Sequence, residues 1–309
     1  MADCIGIDIG YGFVKTHSAE GGTRFPTAVS PMTTEATFSD LAPILVNGKK
    51  YLVGEEAERE GGSLETRTSD FVASDAWLAI LGHALDENKY ESGMIVLGVP
   101  PGLFRKEYAR RIMEAVKTSK ISVGDRAEYS FNGNIRIIPQ GAGIFFKYLK
   151  YRPDDLKKNI VVIDIGHHTV DLTLFSHGKY VETATESREI GISGILDTII
   201  KRFYREHQDT IGYKEALDIL ATGSTTYLCR QWSVDAEDEV SKYSQQINSL
   251  INRYLKRLSV KPDLGIIAGG GAEVIQRFIK SDYRLLSVRE PAMANAEGYW
   301  HYGMEVERG

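Results

Sequence analysis

The stretch GIDIGYGFVK runs from Gly6 to Lys15, and VIDIGHHTVD runs from Val162 to Asp171. Both contain Ile-Asp-Ile-Gly, at Ile7–Gly10 and Ile163–Gly166, and the two aspartates, Asp8 and Asp164, stand 156 residues apart in a chain of 309. Each stretch is a short apolar run closed by glycine, the pattern of a buried strand entering a turn. A repeat at nearly half the chain length predicts two related halves, each ending a strand in an acidic turn.

That turn has a chemical use. Glycine permits positive φ and close approach, so the amides of the turn can face an anion. An aspartate beside a phosphate is repulsive unless a cation stands between them, and Mg²⁺ fills that place through its own waters. Lys15 lies seven residues after Asp8 and reaches phosphates as a point charge, and Thr169 adds a hydroxyl to the second turn. A lone Asp-x-Gly is a common structural turn; its repetition after two buried strands favours phosphate binding. A third element, IIAGGGAEVI, sets Gly269, Gly270 and Gly271 between a strand and a helix. Backbone can approach a flat or anionic ligand there, although a tight strand–helix connection has the same appearance. No Gly-Lys-Ser/Thr and no G-x-G-x-x-G accompanies it, which disfavours a P-loop and a dinucleotide site.

Composition narrows the class. Hydrophobic residues make up 42% and charged residues 26%, the balance of a globular protein, and the length favours two domains. A net charge of −5 argues against a broad nucleic-acid surface. Only Cys4 and Cys229 occur, so no disulfide framework is expected, and both read as packing residues. The first residues lead straight into an apolar strand without a basic leader, and no apolar run approaches the roughly 20 residues of a membrane span. The expectation is a cytoplasmic protein without membrane attachment.

Along the chain, helices are predicted at 71–86, 103–117, from Gln140, at 195–207, at 214–220 and over 234–258. Further helices are predicted after Gly271 and from Pro291, which suits a first helical position. Strands are predicted at 4–9, 94–99, 135–139, 159–165, 170–175, 264–268 and 285–288, with an Asn47-Gly48 hairpin turn in the mixed stretch 24–54. Lys147, Lys150, Arg152, Lys157 and Lys158 read as a solvated face, near a boundary at 150–159. His167 and His168 are adjacent, would point to opposite faces of a strand, and read as loop residues rather than metal ligands. Ser193 lies in GISGI, which is not a nucleophile elbow.

Five segments taken in order resemble the actin-like ATPases. DIGYGFVK is similar to their first phosphate loop and PQGAG at 139–143 to the first connecting helix. DIGHHTVD is similar to the second phosphate loop, AGGGA at 268–272 to the adenosine motif, and AMANAEGY at 292–299 to the second connecting helix. The segments VLGVPPGLFRKEY and ANAEGYW most resemble the bacterial and archaeal plasmid-segregation actins of the ParM/StbA group.

The resemblance implies an α/β, actin-like ATPase fold: two related RNase H-like domains with a nucleotide cleft between them. Domain I would be residues 1–150, rejoined by a C-terminal helix at about 291–309, and domain II residues 151–290. It implies ATP or ADP with Mg²⁺ as cofactors, and Asp8 and Asp164 as catalytic residues that bind Mg²⁺ through water. Gly10, Tyr11, Gly12, Lys15, Gly166, His167, His168 and Thr169 would hold the phosphates. Gln140 would position the attacking water, an orienting rather than a basic role. Gly269, Gly270 and Gly271, with Lys214 and Glu215, would contact the adenosine. The function implied is an ATPase whose dynamic filaments of self-associated copies segregate plasmid DNA through a DNA-binding adaptor, without direct nucleic-acid contact. The alternatives are a small-molecule kinase of the same fold or another bacterial or archaeal cytoskeletal actin. A chaperone would need a substrate domain after Tyr299, and a membrane-linked actin an apolar tail where HYGMEVERG is polar.

Overall fold

The computed structural model describes residues 4–32, 42–59, 70–104, 106–124, 126, 128–129, 131, 135–281 and 283–307. Parts of the mixed stretch, residues 33–41, and the last two residues of the expected C-terminal helix lie outside them. The chain divides into two compact units, Met1–Tyr151 with Met293–Gly309, and Arg152–Ala292.

In the first unit the elements are β1 (Cys4–Ile9), β2 (Phe13–Ser18), β3 (Gly21–Pro26), β4 (Val29–Pro31), β5 (Ile44–Val46), β6 (Lys49–Val53), α1 (Glu55–Arg59), α2 (Asp75–Glu87), β7 (Met94–Val99), α3 (Lys106–Thr118), β8 (Ile121–Val123), β9 (Ile135–Pro139) and α4 (Ala142–Tyr151). One sheet has the order β3-β2-β1-β7-β9, and a second has β4-β6-β5-β8. β1 is apolar on both faces because it lies at the centre of a covered sheet, and Ile5 and Ile7 are fully enclosed. Asn47 and Gly48 turn β5 into β6 with φ of 51° and 82°, the two positive angles of a tight hairpin.

The second unit contains β10 (Asn159–Ile165), β11 (Val170–Ser176), β12 (Lys179–Arg188), α5 (Ser193–His207), α6 (Tyr213–Thr222), β13 (Ser224–Tyr227), β14 (Arg230–Ser233), α7 (Glu237–Arg257), β15 (Leu264–Ala268), α8 (Ala272–Ile275) and β16 (Leu285–Ser287). Its five-stranded sheet has the order β12-β11-β10-β15-β16. In both five-stranded sheets the first strand pairs antiparallel with the second and parallel with the later strand on its other side. The repeated Ile-Asp-Ile-Gly therefore marks the same place in two sheets of one topology. On α7, Val240, Tyr243, Ile247, Leu250, Ile251, Tyr254 and Leu255 are all buried in the unit's core, as the helical spacing predicts.

The C-terminal helix α9 (Ala294–Val306) belongs to the first unit and packs on α4 and β1. The two helices touch at glycines: a Cβ on Gly298 would come within 1.7 Å of the Gly143 carbonyl oxygen. Tyr299 is fully buried beside this crossing.

Several expectations change. The helix predicted at 71–86 begins at Asp75, where Ser74 Oγ accepts from Trp77 N at 3.3 Å, because Phe71 and its neighbours form a turn. The 103–117 helix begins at Lys106, after a 3₁₀ turn at Pro101–Leu103 that the double proline imposes. Gln140 lies in the turn before α4, since Gly141 takes a φ of 87°. The helix after Gly271 ends at Ile275 and continues as a 3₁₀ turn to Phe278, and Pro291 opens a 3₁₀ turn rather than α9. Strands β2, β3, β4, β8, β12, β13 and β14 were not predicted; they are short or lack regular alternation, and pairing with neighbours determines them. Lys147 is buried, 3% exposed, and belongs to no solvated face: its Nζ stands 2.6 Å from Glu297 Oε2 on α9. Cys229 is exposed at a hairpin tip instead of packed, whereas Cys4 is buried as expected. Among the described residues no helix is long and apolar enough to cross a membrane.

Candidate functional site

In the first unit the turn after β1 is tied back by one threonine. Thr27 Oγ1 donates to the Gly10 carbonyl at 2.6 Å and Thr27 N donates to the Gly12 carbonyl at 3.0 Å. A trans peptide directs its N–H opposite its C=O, so the amides that follow, those of Tyr11 and Phe13, turn the other way. Asp8, 4% exposed, closes the base of the turn. Its Oδ2 stands 3.4 Å from Lys15 Nζ, and its Oδ1 accepts from Gln140 Nε2 at 2.9 Å. Lys15 is also the cross-strand partner of Asp8 in the β1–β2 ladder. Gln140 is fixed from both sides: its N donates to the Val99 carbonyl at 2.7 Å, and Gly141 N donates to Asn295 Oδ1 at 3.0 Å. The expected group of Asp8, Gly10, Lys15 and Gln140 is thus assembled, with Tyr11 and Gly12 in the turn itself.

In the second unit the equivalent turn is strapped by backbone. Ile192 N, Ser193 N and Gly191 N donate to the carbonyls of Gly166, His167 and His168 at 3.1, 2.8 and 2.8 Å. The amides of His167, His168 and Thr169 are thereby directed to the opposite side of the loop, the arrangement of an anion nest. The triple glycine packs on the same turn. Gly271 N donates to the Ile165 carbonyl at 2.8 Å, and a Cβ on Gly269, whose φ is 96°, would lie 2.3 Å from Asp164 Oδ1. Around Gly270 a Cβ would meet nothing within 4 Å, so this glycine presents an open face.

Asp171 is the cross-strand partner of Asp164, as Lys15 is of Asp8. The carboxyl of Asp171 is 5% exposed and accepts from Thr169 Oγ1 at 2.7 Å. Burial pushes its pKa up, against the pull of hydrogen bonds from Ser187 and Thr169. Two adjacent carboxylates and a hydroxyl suit a hard divalent cation that keeps most of its waters. Among the described residues no group of three or more His, Cys, Asp or Glu side chains could enclose a metal ion, so any Mg²⁺ here would take its remaining ligands from water and phosphate.

Lys214 and Glu215 lie in the first turn of α6, which reaches the second turn through its first residue, Tyr213, whose ring stands 5.4 Å from that of His167. Glu215 Oε2 accepts from Gly212 N at 3.0 Å and closes the first turn of its own helix, and Lys214 is exposed. Among the described residues no hydrogen bond joins either side chain to Gly269, Gly270 or Gly271. Sequence reasoning missed Thr27, Asn295, Tyr213 and Asp171. Only Asp171 carried a signal, its seven-residue spacing from Asp164 matching that of Lys15 from Asp8.

Two sheets of one topology, each ending its first strand in an acidic glycine turn, define an actin-like fold. The family of actin-like protein N-terminal domains matches residues 6–143, and the family of archaeal MreB-like actin-homologue C-terminal domains matches residues 162–281. The chain belongs to the actin-like proteins. It is similar to the archaeal actin homologue Ta0583, with a TM-score of 0.79 at 19% identity over 100% of both chains. The complex of that protein with ADP gives 0.76 at 19% identity, again over 100% of both chains. A subunit of a 15-stranded ParM filament from Clostridium botulinum gives 0.74 at 21% identity, over 98% of this chain and 99% of that one. At such identities the likeness is one of fold. No curated protein matches the sequence.

Proposed function

We propose that this protein binds ATP with Mg²⁺, hydrolyses it slowly and assembles into filaments of its own copies. The filaments would move DNA, foremost a plasmid, through a DNA-binding adaptor in the cytoplasm. The observation that carries this reading is the doubled turn: in each unit the carbonyls are tied back, the amides face outward and a carboxylate stands at the base. Membership in the actin-like family supports it, as do an ADP complex of Ta0583 and a ParM solved as a filament.

In this reading the amides of Tyr11, Phe13, His167, His168 and Thr169 bind phosphate oxygens, and Lys15 adds a positive charge. Gly270 offers its open face to the adenosine side, and Lys214 is assigned to the same ligand. The donation of Gln140 Nε2 to Asp8 fixes the amide, which leaves Oε1 to accept a proton of the attacking water and orient it. Asp164, Asp171 and Thr169 would hold hydrated Mg²⁺, which supplies neutralisation of charge on the phosphates.

Sedimentation and phosphate release, measured together across protein concentration, test the proposal. Pelleting above a critical concentration is expected with ATP or a slow analogue, with loss of polymer as phosphate is released. EDTA should abolish both. A folded Asp164→Ala variant with unchanged affinity and turnover would remove Asp164 from the site. A monomer that turns over ATP at every concentration would replace the filament reading with that of a small-molecule kinase.

A further inference from the structure

In the second unit a hairpin projects with an unusual tip. Strands β13 and β14 pair from Ser224↔Ser233 to Tyr227↔Arg230, so the turn consists of Leu228 and Cys229 alone. Both adopt positive φ, 47° and 57°. Such a turn favours Asn-Gly, and each residue with a Cβ costs about 1 kcal/mol there. Leu228 is nevertheless 67% exposed, and Cys229 and Arg230 are exposed beside it. The base is rigid by contrast. Trp232 Nε1 donates to the Tyr227 carbonyl at 3.1 Å, and the Trp232 ring packs on Phe203 and His207 at 5.4 and 4.7 Å. A strained apolar tip on an anchored base loses little conformational freedom when it docks.

The first unit holds a cavity of about 310 Å³ beside β3, β6 and α2. At roughly 30 Å³ per water, that is room for about ten waters, enough for a leucine side chain and the stem of an arginine. Phe25, Ile44 and Val53 give it an apolar floor. Its lining carries the carboxylates Glu55, Glu56, Asp86 and Glu87 against the single guanidinium of Arg24. Arg126 Nη2 already bonds Asp86 at 2.9 Å. Among the described residues Glu55, Glu56 and Glu87 have no ion-pair partner, and neither does Arg230. Burial lowers the pKa of His83 in this lining, against the four carboxylates around it, so its ring adds no cation near neutral pH.

We propose that the Leu228–Arg230 tip of one copy docks in this cavity of a second copy, Leu228 on the apolar floor and Arg230 among Glu55, Glu56 and Glu87. Knob and hole are different surfaces, and each copy carries both. A contact of this kind builds an open chain where its rotation does not close on itself, and sedimentation of large polymer rather than of a dimer distinguishes the two. The inference rests on the filament reading above and identifies one of its contacts.

Cys229 provides a test that needs no substitution in the contact. Burial, reinforced by Glu307, pushes the Cys4 thiol up to about 12, so a maleimide labels Cys229 selectively. Labelling of wild-type protein should slow by about tenfold or more when ATP drives assembly, if the thiol becomes enclosed. Leu228→Asp and Arg230→Glu should each raise the critical concentration by about tenfold or more. Nucleotide affinity measured below that concentration should be unchanged. Glu56→Arg with Glu87→Arg should restore assembly to the Arg230→Glu chain. Polymer that leaves Cys229 fully reactive, or forms at the wild-type critical concentration from both tip variants, overturns this contact and leaves the filament reading intact. Wild-type protein that binds ATP yet never assembles overturns both.

Discussion

Asp164 and Asp171 face each other across β10 and β11, at the place where Asp8 faces Lys15 across β1 and β2. The two turns share a topology and differ in charge. Lys15 Nζ at 3.4 Å neutralises Asp8, whereas Asp164 has a second carboxylate opposite it. In the function proposed above, a polyanion would meet a cation at the first turn and repulsion at the second, which an added cation would remove. The demand for Mg²⁺ would then fall mainly on the second turn.

Asp171→Asn should accordingly separate metal-dependent from metal-independent binding. Asparagine still accepts from Thr169 but removes one negative charge. The ratio of ATP affinity with Mg²⁺ to that with EDTA should shrink by about tenfold, as one unit charge at short range in a partly screened site implies. Lys15→Ala should lower both affinities together. Titration calorimetry of the two variants in each buffer measures the ratio, and an unchanged ratio in Asp171→Asn excludes this division of labour.

Gln140→Ala should slow phosphate release on the order of a hundredfold with little change in nucleotide affinity, since an orienting group acts on the reacting geometry. Asn295→Ala should act in the same direction more weakly, because it frees the Gly141 turn behind Gln140. It should also lower stability by about 1–3 kcal/mol through the orphaned Gly141 amide. Single-turnover kinetics beside equilibrium binding distinguish the two effects. A loss of affinity with turnover retained would make Gln140 a binding residue.

Gly269→Ala places a Cβ 2.3 Å from Asp164 Oδ1 on a backbone with φ of 96°. The strain is about 1–3 kcal/mol, and Asp164 or the loop must move to relieve it. Weakened nucleotide binding with a modest drop in melting temperature is expected. Gly270→Ala meets no atom within 4 Å, so a folded variant reports directly on ligand contact at that face.

Acid should loosen the contact between α4 and α9. Burial raises the pKa of Glu297, but His301 and the Lys147 amine outweigh it and hold the carboxyl at about 2. Lys147 at 2.6 Å is the decisive partner, since His301 Nε2 is 3.6 Å away. The folded value lies below the unfolded 4.5, so the pair's stabilisation is present above pH 4.5 and lost as pH falls toward about 2. At pH 7 Glu297→Gln removes the charge that the buried Lys147 faces and should destabilise by about 3 kcal/mol. Wild type and variant should converge near the acid end. Urea melts across that range measure the convergence, and a gap independent of pH would contradict the assignment.

How much of this was legible in the chain depended on distance along it. The two Ile-Asp-Ile-Gly turns, the triple glycine and the amphipathic α7 follow from contacts within a few residues, where apolar spacing and the freedom of glycine dictate local form. The seven-residue steps from Asp8 to Lys15 and from Asp164 to Asp171 were written there too, because a tight turn between antiparallel strands sets its own register. Other features were decided by packing alone. Lys147 looked like one of a run of surface cations until Glu297, 150 residues away, met it in the interior. Gln140 is aimed by Asp8 and braced through Gly141 by Asn295, partners 132 and, for that brace, 154 residues distant. Cys229 resembled a packing residue and stands at a hairpin tip, because the unpredicted pairing of β13 with β14 turned it outward. Sequence periodicity reports which face of an element is apolar, whereas the partner of a polar side chain is chosen by which elements the tertiary fold brings against it.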